Sequence, residues 1–260
     1  MNGNAIHLVS EGILEEIERK KAILEKLPEY YLSNRIKKSR QFTSESLQHS
    51  CGLAMELTKT NTKKDRINRS RELNICKENL KNALDWGRQN YKGVLDKDFI
   101  KTIGYLIDPM IYAPERYAGK PSFRKCSITI GGNSGYTPSP DKIEREIDIF
   151  LEENLRLENL IDRALHSHFH IARVHPFEDG NGRTARLVQN IVLEKGSYYP
   201  ISIHPFERDE YGELLNKATE SYKSNERKFT SEQNKFYNFI ALKINTILEE
   251  AMKSAYSRKS

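Results

Sequence analysis

The chain has 260 residues, enough for one substantial core or a core with a helical extension and too few for two large domains. Its 37% hydrophobic and 30% charged residues fit a soluble globular protein rather than extended disorder, and three scattered cysteines without a CxxC pair exclude a disulfide framework or a zinc knuckle. The net charge of +6 does not by itself indicate nucleic acid, because the basic stretches Arg35 to Arg40 and Lys59 to Arg71 sit in polar surroundings and read as solvated helix faces.

Glu11, Glu15, Glu16 and Glu18 occupy the start of the chain where a secretory signal would need an unbroken apolar run, and no apolar stretch reaches membrane-spanning length. With the cysteine usage this gives the expectation of a soluble, cytoplasmic protein with no membrane partner. From Ile13 to Leu27, Ile13, Leu14, Ile17, Ile23, Leu24 and Leu27 recur at helical spacing. Residues 43–108 hold few Gly or Pro, and Leu73, Ile75, Leu80, Leu84 and Trp86 suggest further helices.

Between Pro109 and Pro140, glycines and prolines break any helix, while Cys126 to Ile130 alternates and is rich in β-branched residues. A short β-hairpin turning at Gly132 and Asn133 is expected there. Ser139-Pro140-Asp141 then starts a helix with the apolar stripe Ile143, Ile147, Phe150 and Leu151. A helix over about 157–174, a Gly-rich loop and a helix over about 183–194 ending at Gly196 follow, and Phe236, Phe239, Ile240, Ile244, Ile247 and Leu248 mark a last amphipathic helix. The fold class is all-α with a small hairpin flap.

The chemistry is concentrated in His175-Pro176-Phe177-Glu178-Asp179-Gly180-Asn181-Gly182-Arg183-Thr184-Ala185-Arg186, between two helical patterns. Gly180, Asn181 and Gly182 can turn successive N–H groups towards one point, and the next helix adds its positive end, which makes an anion cradle. Arg183 and Arg186 are three residues apart, share a face, and carry guanidinium forks suited to phosphate oxygens. Asp179 would repel a bare phosphate but is a good ligand for Mg²⁺ bridging phosphates, so a metal-bound nucleotide is the expected ligand. His175, at the mouth of the loop, is the general-base candidate, and Phe177 is expected to be its buried anchor.

This segment matches, at every specified position, the Fic family signature His-Pro-Phe-any-Asp/Glu-Gly-Asn-Gly-Arg-any-any-Arg. A chance match of nine fixed positions is on the order of one in a billion, so the chain resembles that family. The resemblance implies an all-helical Fic fold and transfer of AMP from ATP to a Ser, Thr or Tyr hydroxyl. His175 would be the base and Asp179 the Mg²⁺ ligand, while Gly180, Asn181, Gly182, Arg183 and Arg186 would bind the phosphates. His168 and Val174 fall where the family often has a His and an aliphatic residue, and residues 122–132 would be a flap that docks a target protein by strand addition. The implied organisation is an N-terminal helical region over 1–104, a catalytic core over 105–250 and a tail over 251–260.

The same loop would also suit removal of AMP or transfer of another phosphate-linked group, and a nucleotide-sensing binding module is the rival outside enzymes. An inhibitor protein and a homo-oligomer are further partners to consider. Family members often restrain themselves with a Glu that pairs with the second motif arginine, here Arg186. Thr246 to Glu250 has the spacing but Ala251 follows, which leaves Glu250 a weak candidate, and the early segment Ser50 to Thr58 has Leu53 where such a Glu would be sought. His166 and His170 stand at metal-ligand spacing on one helical face, but no acidic or Cys ligand lies nearby in the required pattern, so packing is their expected role. His204-Pro205-Phe206 repeats the first letters of the signature without its turn or arginines and reads as the start of a helix.

Overall fold

The computed structural model describes residues 7–27, 30–55, 63–109, 119–128, 137–226 and 228–256. These form α1 (Glu11–Glu25), α2 (Tyr30–Met55), α3 (Lys63–Asn90), α4 (Lys97–Ile107), α5 (Ile143–Arg156), α6 (Leu160–Val174), α7 (Asn181–Lys195), α8 (Arg208–Ser224) and α9 (Ser231–Tyr256). Two single 3₁₀ turns, Pro140–Lys142 and Pro205–Glu207, lead into α5 and α8. Both begin with the proline that the sequence marks as a helix start, since proline lacks only an N–H that the first turn leaves unused. No strand occurs among the described residues, and no described helix is long and apolar enough to cross a membrane.

The centre of the molecule is the pair α6 and α7. α6 is buried on nearly every side, from Ile161 to Val174, and α7 from Asn181 to Leu193. Other helices pack around this pair: α5 and α9 on α6, and α2, α3 and α4 on α7, while α1 lies along α9. Phe169 and Phe236, both 0% exposed, meet at 5.8 Å between ring centres and join α6 to α9. Burying aromatic surface of this size stabilises by about 2–3 kcal/mol per ring.

Caps place the helix starts. Asn159 accepts hydrogen bonds from the backbone N–H groups of Ile161 and Asp162 at 2.7 and 3.3 Å, which begins α6 three residues later than the periodicity suggests. Asp96 caps α4 through the N–H of Phe99 at 2.7 Å. At the other end α9 continues to Tyr256, through most of the stretch read as a tail, because Ala251 and Ala255 extend its buried face. α2 also covers 30–42, where the sequence shows no apolar periodicity and only the basic stretch Arg35 to Arg40 is read as a helix face.

The hairpin expectation falls in two parts. Its turn at Gly132 and Asn133 lies outside the described residues. The described part, 119–128, is irregular rather than a strand. It is held by Arg124, only 3% exposed, whose N–H donates to the Pro176 carbonyl at 2.8 Å. The Arg124 guanidinium donates to the carbonyls of His175, Cys126 and Pro138 at 2.8, 2.8 and 2.7 Å. A side chain satisfies what strand pairing would otherwise supply.

Candidate active site

The loop between α6 and α7 takes its shape from its own residues. His175 closes α6 in the left-handed region, with φ 52° and ψ 58° and its N–H on the Ile171 carbonyl at 3.0 Å. A non-glycine residue there is uncommon and turns the chain sharply out of the helix. Gly180 opens α7 at φ +79°, where a Cβ would lie 3.1 Å from Ile107 Cγ2, so both backbone angle and space call for glycine. Between them Asn181, 2% exposed, spends its side-chain amide on Phe177: Oδ1 accepts from the Phe177 N–H and Nδ2 donates to its carbonyl, each at 2.8 Å. Its side chain therefore shapes the loop, and its backbone contributes to the free first turn of α7.

Phe177 is the anchor. It is 1% exposed, packs on Phe123 at 5.8 Å and lies over Gly104 of α4 so closely that a Cβ on Gly104 would be 2.3 Å from the ring. This close approach fixes the loop on α4 and presents the first turn of α7 to a cavity of about 560 Å³. The cavity is lined by His175, Asp179, Gly180, Asn181, Gly182, Arg183 and Arg186, together with Cys76 and Asn79 of α3, Asp108 and Tyr211. All seven residues singled out from the sequence reach one site of the size usual for a small-molecule ligand.

His175 Nδ1 lies 3.0 Å from the Ala172 carbonyl, a partner that only accepts, so Nδ1 carries the hydrogen and Nε2 keeps its lone pair. Burial pushes its pKa below the ordinary imidazole value, and Arg124 nearby acts in the same direction against the opposing carbonyl bond. The ring is therefore neutral near pH 7, the state a proton acceptor needs. Asp179 is 70% exposed at its side chain; Oδ1 accepts from the Gly180 N–H at 2.6 Å and Oδ2 from Arg183 at 2.9 Å. Asp108 faces the same Arg183 Nη2 at 3.5 Å, and burial raises its pKa. Two hard oxygen donors thus flank the cradle, a donor set that suits Mg²⁺.

The two arginines share a cavity but have different neighbours. Arg183 also points Nη1 at Cys76 Sγ, 3.8 Å away. Cys76 hydrogen-bonds with Cys51 of α2, and that bond, with the nearby Arg183 charge, pulls the Cys76 thiol below its ordinary pKa despite burial. Arg186 is held by α2 through Ser50, Nε to Oγ at 3.0 Å and Nη2 to the carbonyl at 3.3 Å, and by the Tyr211 hydroxyl. The weak candidate Glu250 is instead exposed on α9. Sequence reasoning missed Cys76, Asp108, Arg124 and Tyr211, and no local pattern marks any of them.

His168, at the position noted within α6, is fully buried and links the core to Arg186. Its Nδ1 lies 2.5 Å from Gln189 Oε1 and its Nε2 2.9 Å from the Tyr211 hydroxyl. Tyr211 accepts from Arg186 and donates its single hydrogen to His168, so a continuous chain runs from Gln189 to the arginine. Burial lowers the His168 pKa to about 3. In the unfolded chain it titrates near 6.5, so its contribution to stability is complete above that pH and is lost as pH falls towards 3, at about 1.4 kcal/mol per unit. Urea unfolding between pH 6 and 4 should therefore steepen with acid in the parent and flatten by about one proton in His168→Gln. Equal slopes would refute the assignment.

Comparison with known proteins places this architecture. Residues 95–193 match the model of the Fic/DOC family. Among curated proteins it is similar to the protein adenylyltransferase Fic of Nematostella vectensis, 36% identical over 85 residues, which is 31% of this chain and 20% of that protein. It is also similar to that of Culex quinquefasciatus, 31% identical over 102 residues, 38% of this chain and 20% of that protein. The matched stretch therefore spans about a fifth of the length of these relatives.

Two solved structures share the fold. A Fic domain containing signaling protein from Bacteroides thetaiotaomicron superimposes with a TM-score of 0.68 at 20% identity, covering 94% of this chain and 98% of its own. Residues 134–508 of Fic-1 from C. elegans superimpose with a TM-score of 0.68 at 18% identity, covering 95% and 73%. The all-α Fic fold expected from the loop signature is the one observed.

Proposed function

We propose that the protein is a nucleotidyltransferase that moves AMP from Mg–ATP to a hydroxyl side chain of a target protein. The observation that carries this reading is the neutral His175, tautomer set by the Ala172 carbonyl, on the same cavity as the first turn of α7 and two arginines. A binding module needs the cradle and the arginines but has no use for an imidazole poised to accept a proton. The curated relatives, named protein adenylyltransferases, support the same reading.

In this scheme the target hydroxyl attacks the α-phosphorus as His175 Nε2 takes its proton. The bond from phosphorus to the α–β bridging oxygen breaks, and pyrophosphate leaves. The free N–H groups of α7 and the guanidiniums of Arg183 and Arg186 bind the phosphates and receive the charge that accumulates on the departing group. Asp179 would hold Mg²⁺ with Asp108 beside it, and the ion, when bound, would neutralise phosphate charge. Ligand binding then frees Arg183 from its ion pair with Asp179, so both partners change from each other to the ligand. The target segment would lie along residues 122–132, next to the stretch that Arg124 fixes to the His175 carbonyl.

Intact-mass spectrometry of the purified protein with Mg²⁺ and ATP, alone and with a cell lysate, tests the proposal. The expected result is addition of one AMP to the protein itself or to a lysate protein, dependent on His175. Addition of UMP, GMP or phosphate in parallel incubations with other donors would move the assignment to that group. Nucleotide binding with no transfer to any protein would favour the sensing module.

A further inference from the structure

Cys51 of α2 and Cys76 of α3 take part in no step of the transfer scheme, yet they meet beside the two arginines of the cavity. Cys51 is 0% and Cys76 4% exposed, and their thiols hydrogen-bond where α2 packs on α3. Buried cysteines often serve only as small apolar side chains. Cys76 departs from that role in two respects. It lines the cavity of about 560 Å³, so a small solute in the cavity reaches its sulfur, and that sulfur lies 3.8 Å from Nη1 of Arg183. The third cysteine, Cys126, is exposed on the 119–128 segment.

The two sulfurs divide the roles that disulfide formation needs. The S–H donated by Cys51 and the guanidinium of Arg183 both favour a thiolate at Cys76, the form that attacks an oxidant. The same bond and burial keep Cys51 protonated, the resting state of a resolving thiol. The sulfur that reacts first is therefore the one the cavity exposes, and the one that resolves it sits directly behind.

We propose that Cys51 and Cys76 are a peroxide-reactive thiol pair, a modification site on the wall of the cavity that closes to a disulfide between α2 and α3. The Cys76 thiolate attacks one oxygen of hydrogen peroxide, the O–O bond breaks, and hydroxide leaves and takes up a proton as water. Cys51 then attacks the sulfur of the resulting sulfenic acid, its proton goes to the departing hydroxide, and a second water leaves. Two thiols and one peroxide thus give one disulfide and two waters, and a dithiol reductant restores the pair by exchange. A disulfide needs about 2.05 Å between sulfurs, so closing it draws the two helices together at this point. Ser50, the neighbour of Cys51, holds Arg186 at 3.0 Å, and Cys76 faces Arg183, so the new bond joins the supports of both arginines. Formation of the disulfide does not depend on the proposed transfer activity; only its protection by nucleotide rests on that reading.

The test uses the full chain carrying Cys126→Ser, which removes the exposed thiol. Fully reduced protein is treated with a small excess of hydrogen peroxide, quenched and unfolded, and its free thiols are counted beside the intact mass. Both thiols should be lost with a mass loss of two hydrogen atoms, and proteolysis should release one peptide pair joined through Cys51 and Cys76. With Cys51→Ala the reaction should stop at a Cys76 sulfenic acid that a 1,3-dione traps, and with Cys76→Ala the remaining thiol should stay reduced. At about ten times its Kd, Mg–ATP should slow closure about tenfold, because only the unliganded fraction reacts. Both thiols left free, oxidation that ends on Cys76 with Cys51 still free, or Cys51 reacting without Cys76 would each overturn the proposal, as would closure at full rate in the ATP complex. Absence of ATP binding would count against the transfer reading alone, since the thiol count is taken without nucleotide.

Discussion

Replacing His175 by asparagine or alanine is expected to lower the rate of AMP transfer by about 10²–10⁴-fold while leaving ATP binding within a few-fold of the parent. In the proposed scheme the phosphate contacts come from α7 and the arginines, none of which needs the imidazole, so binding and chemistry should separate at this residue. Asparagine is the better variant, because it tolerates the left-handed backbone at φ 52° and keeps the loop geometry under test. Single-turnover measurements with a fixed target, beside a nucleotide-binding titration, read both quantities. Parallel loss of the two would mean that His175 only shapes the cavity.

The same group sets the pH dependence. Burial lowers the His175 pKa from its ordinary value, so the competent neutral form predominates at pH 7 and above. The rate should be level above neutrality and fall in acid as the ring takes up its proton, with a slope of one proton. A midpoint at or above the ordinary imidazole value of about 6.5 would contradict the buried, neutral ring.

Phe177→Ala is expected to cost about 3–5 kcal/mol of stability and most of the activity. The ring is 1% exposed and fills the space above Gly104, so its removal opens a cavity beneath the loop that holds His175 at one end and Gly180 at the other. Gly104→Ala approaches the same contact from α4. Its Cβ would sit 2.3 Å from the ring, and relieving that overlap should cost about 1–3 kcal/mol and displace the loop. Chemical unfolding of the two single variants and the double variant measures the coupling. In the double variant the methyl group added on α4 occupies part of the space the ring vacates, so its loss should be smaller than the sum of the singles; strict additivity would mean that the two residues do not bear on each other.

The loop was legible because its determinants are local. Gly180 is required by backbone angle, Asn181 bonds back four residues to Phe177, and the α7 N-terminus follows within the same segment. Twelve consecutive residues therefore fix both shape and chemistry, and the helices on either side show in their periodicity. The continuation of α9 to Tyr256 escaped because tertiary contacts at Ala251 and Ala255, not a strong local pattern, sustain it. Arg124 escaped for a similar reason: a buried arginine bonding four carbonyls looks in sequence like any surface arginine.

The cradle, the candidate base and the all-α class can be read from the chain alone, since each follows from backbone preferences and spacing within a short span. Their surroundings are settled by packing. Ser50 reaches Arg186 across 136 residues and Cys76 reaches Arg183 across 107, contacts whose partners are chosen by how α2 and α3 pack on α7. Glu153 of α5 meets His166 and His170 because α5 and α6 fold back on each other. Helix periodicity states which face is buried but not which helix covers it, and that choice depends on the packing of the whole core.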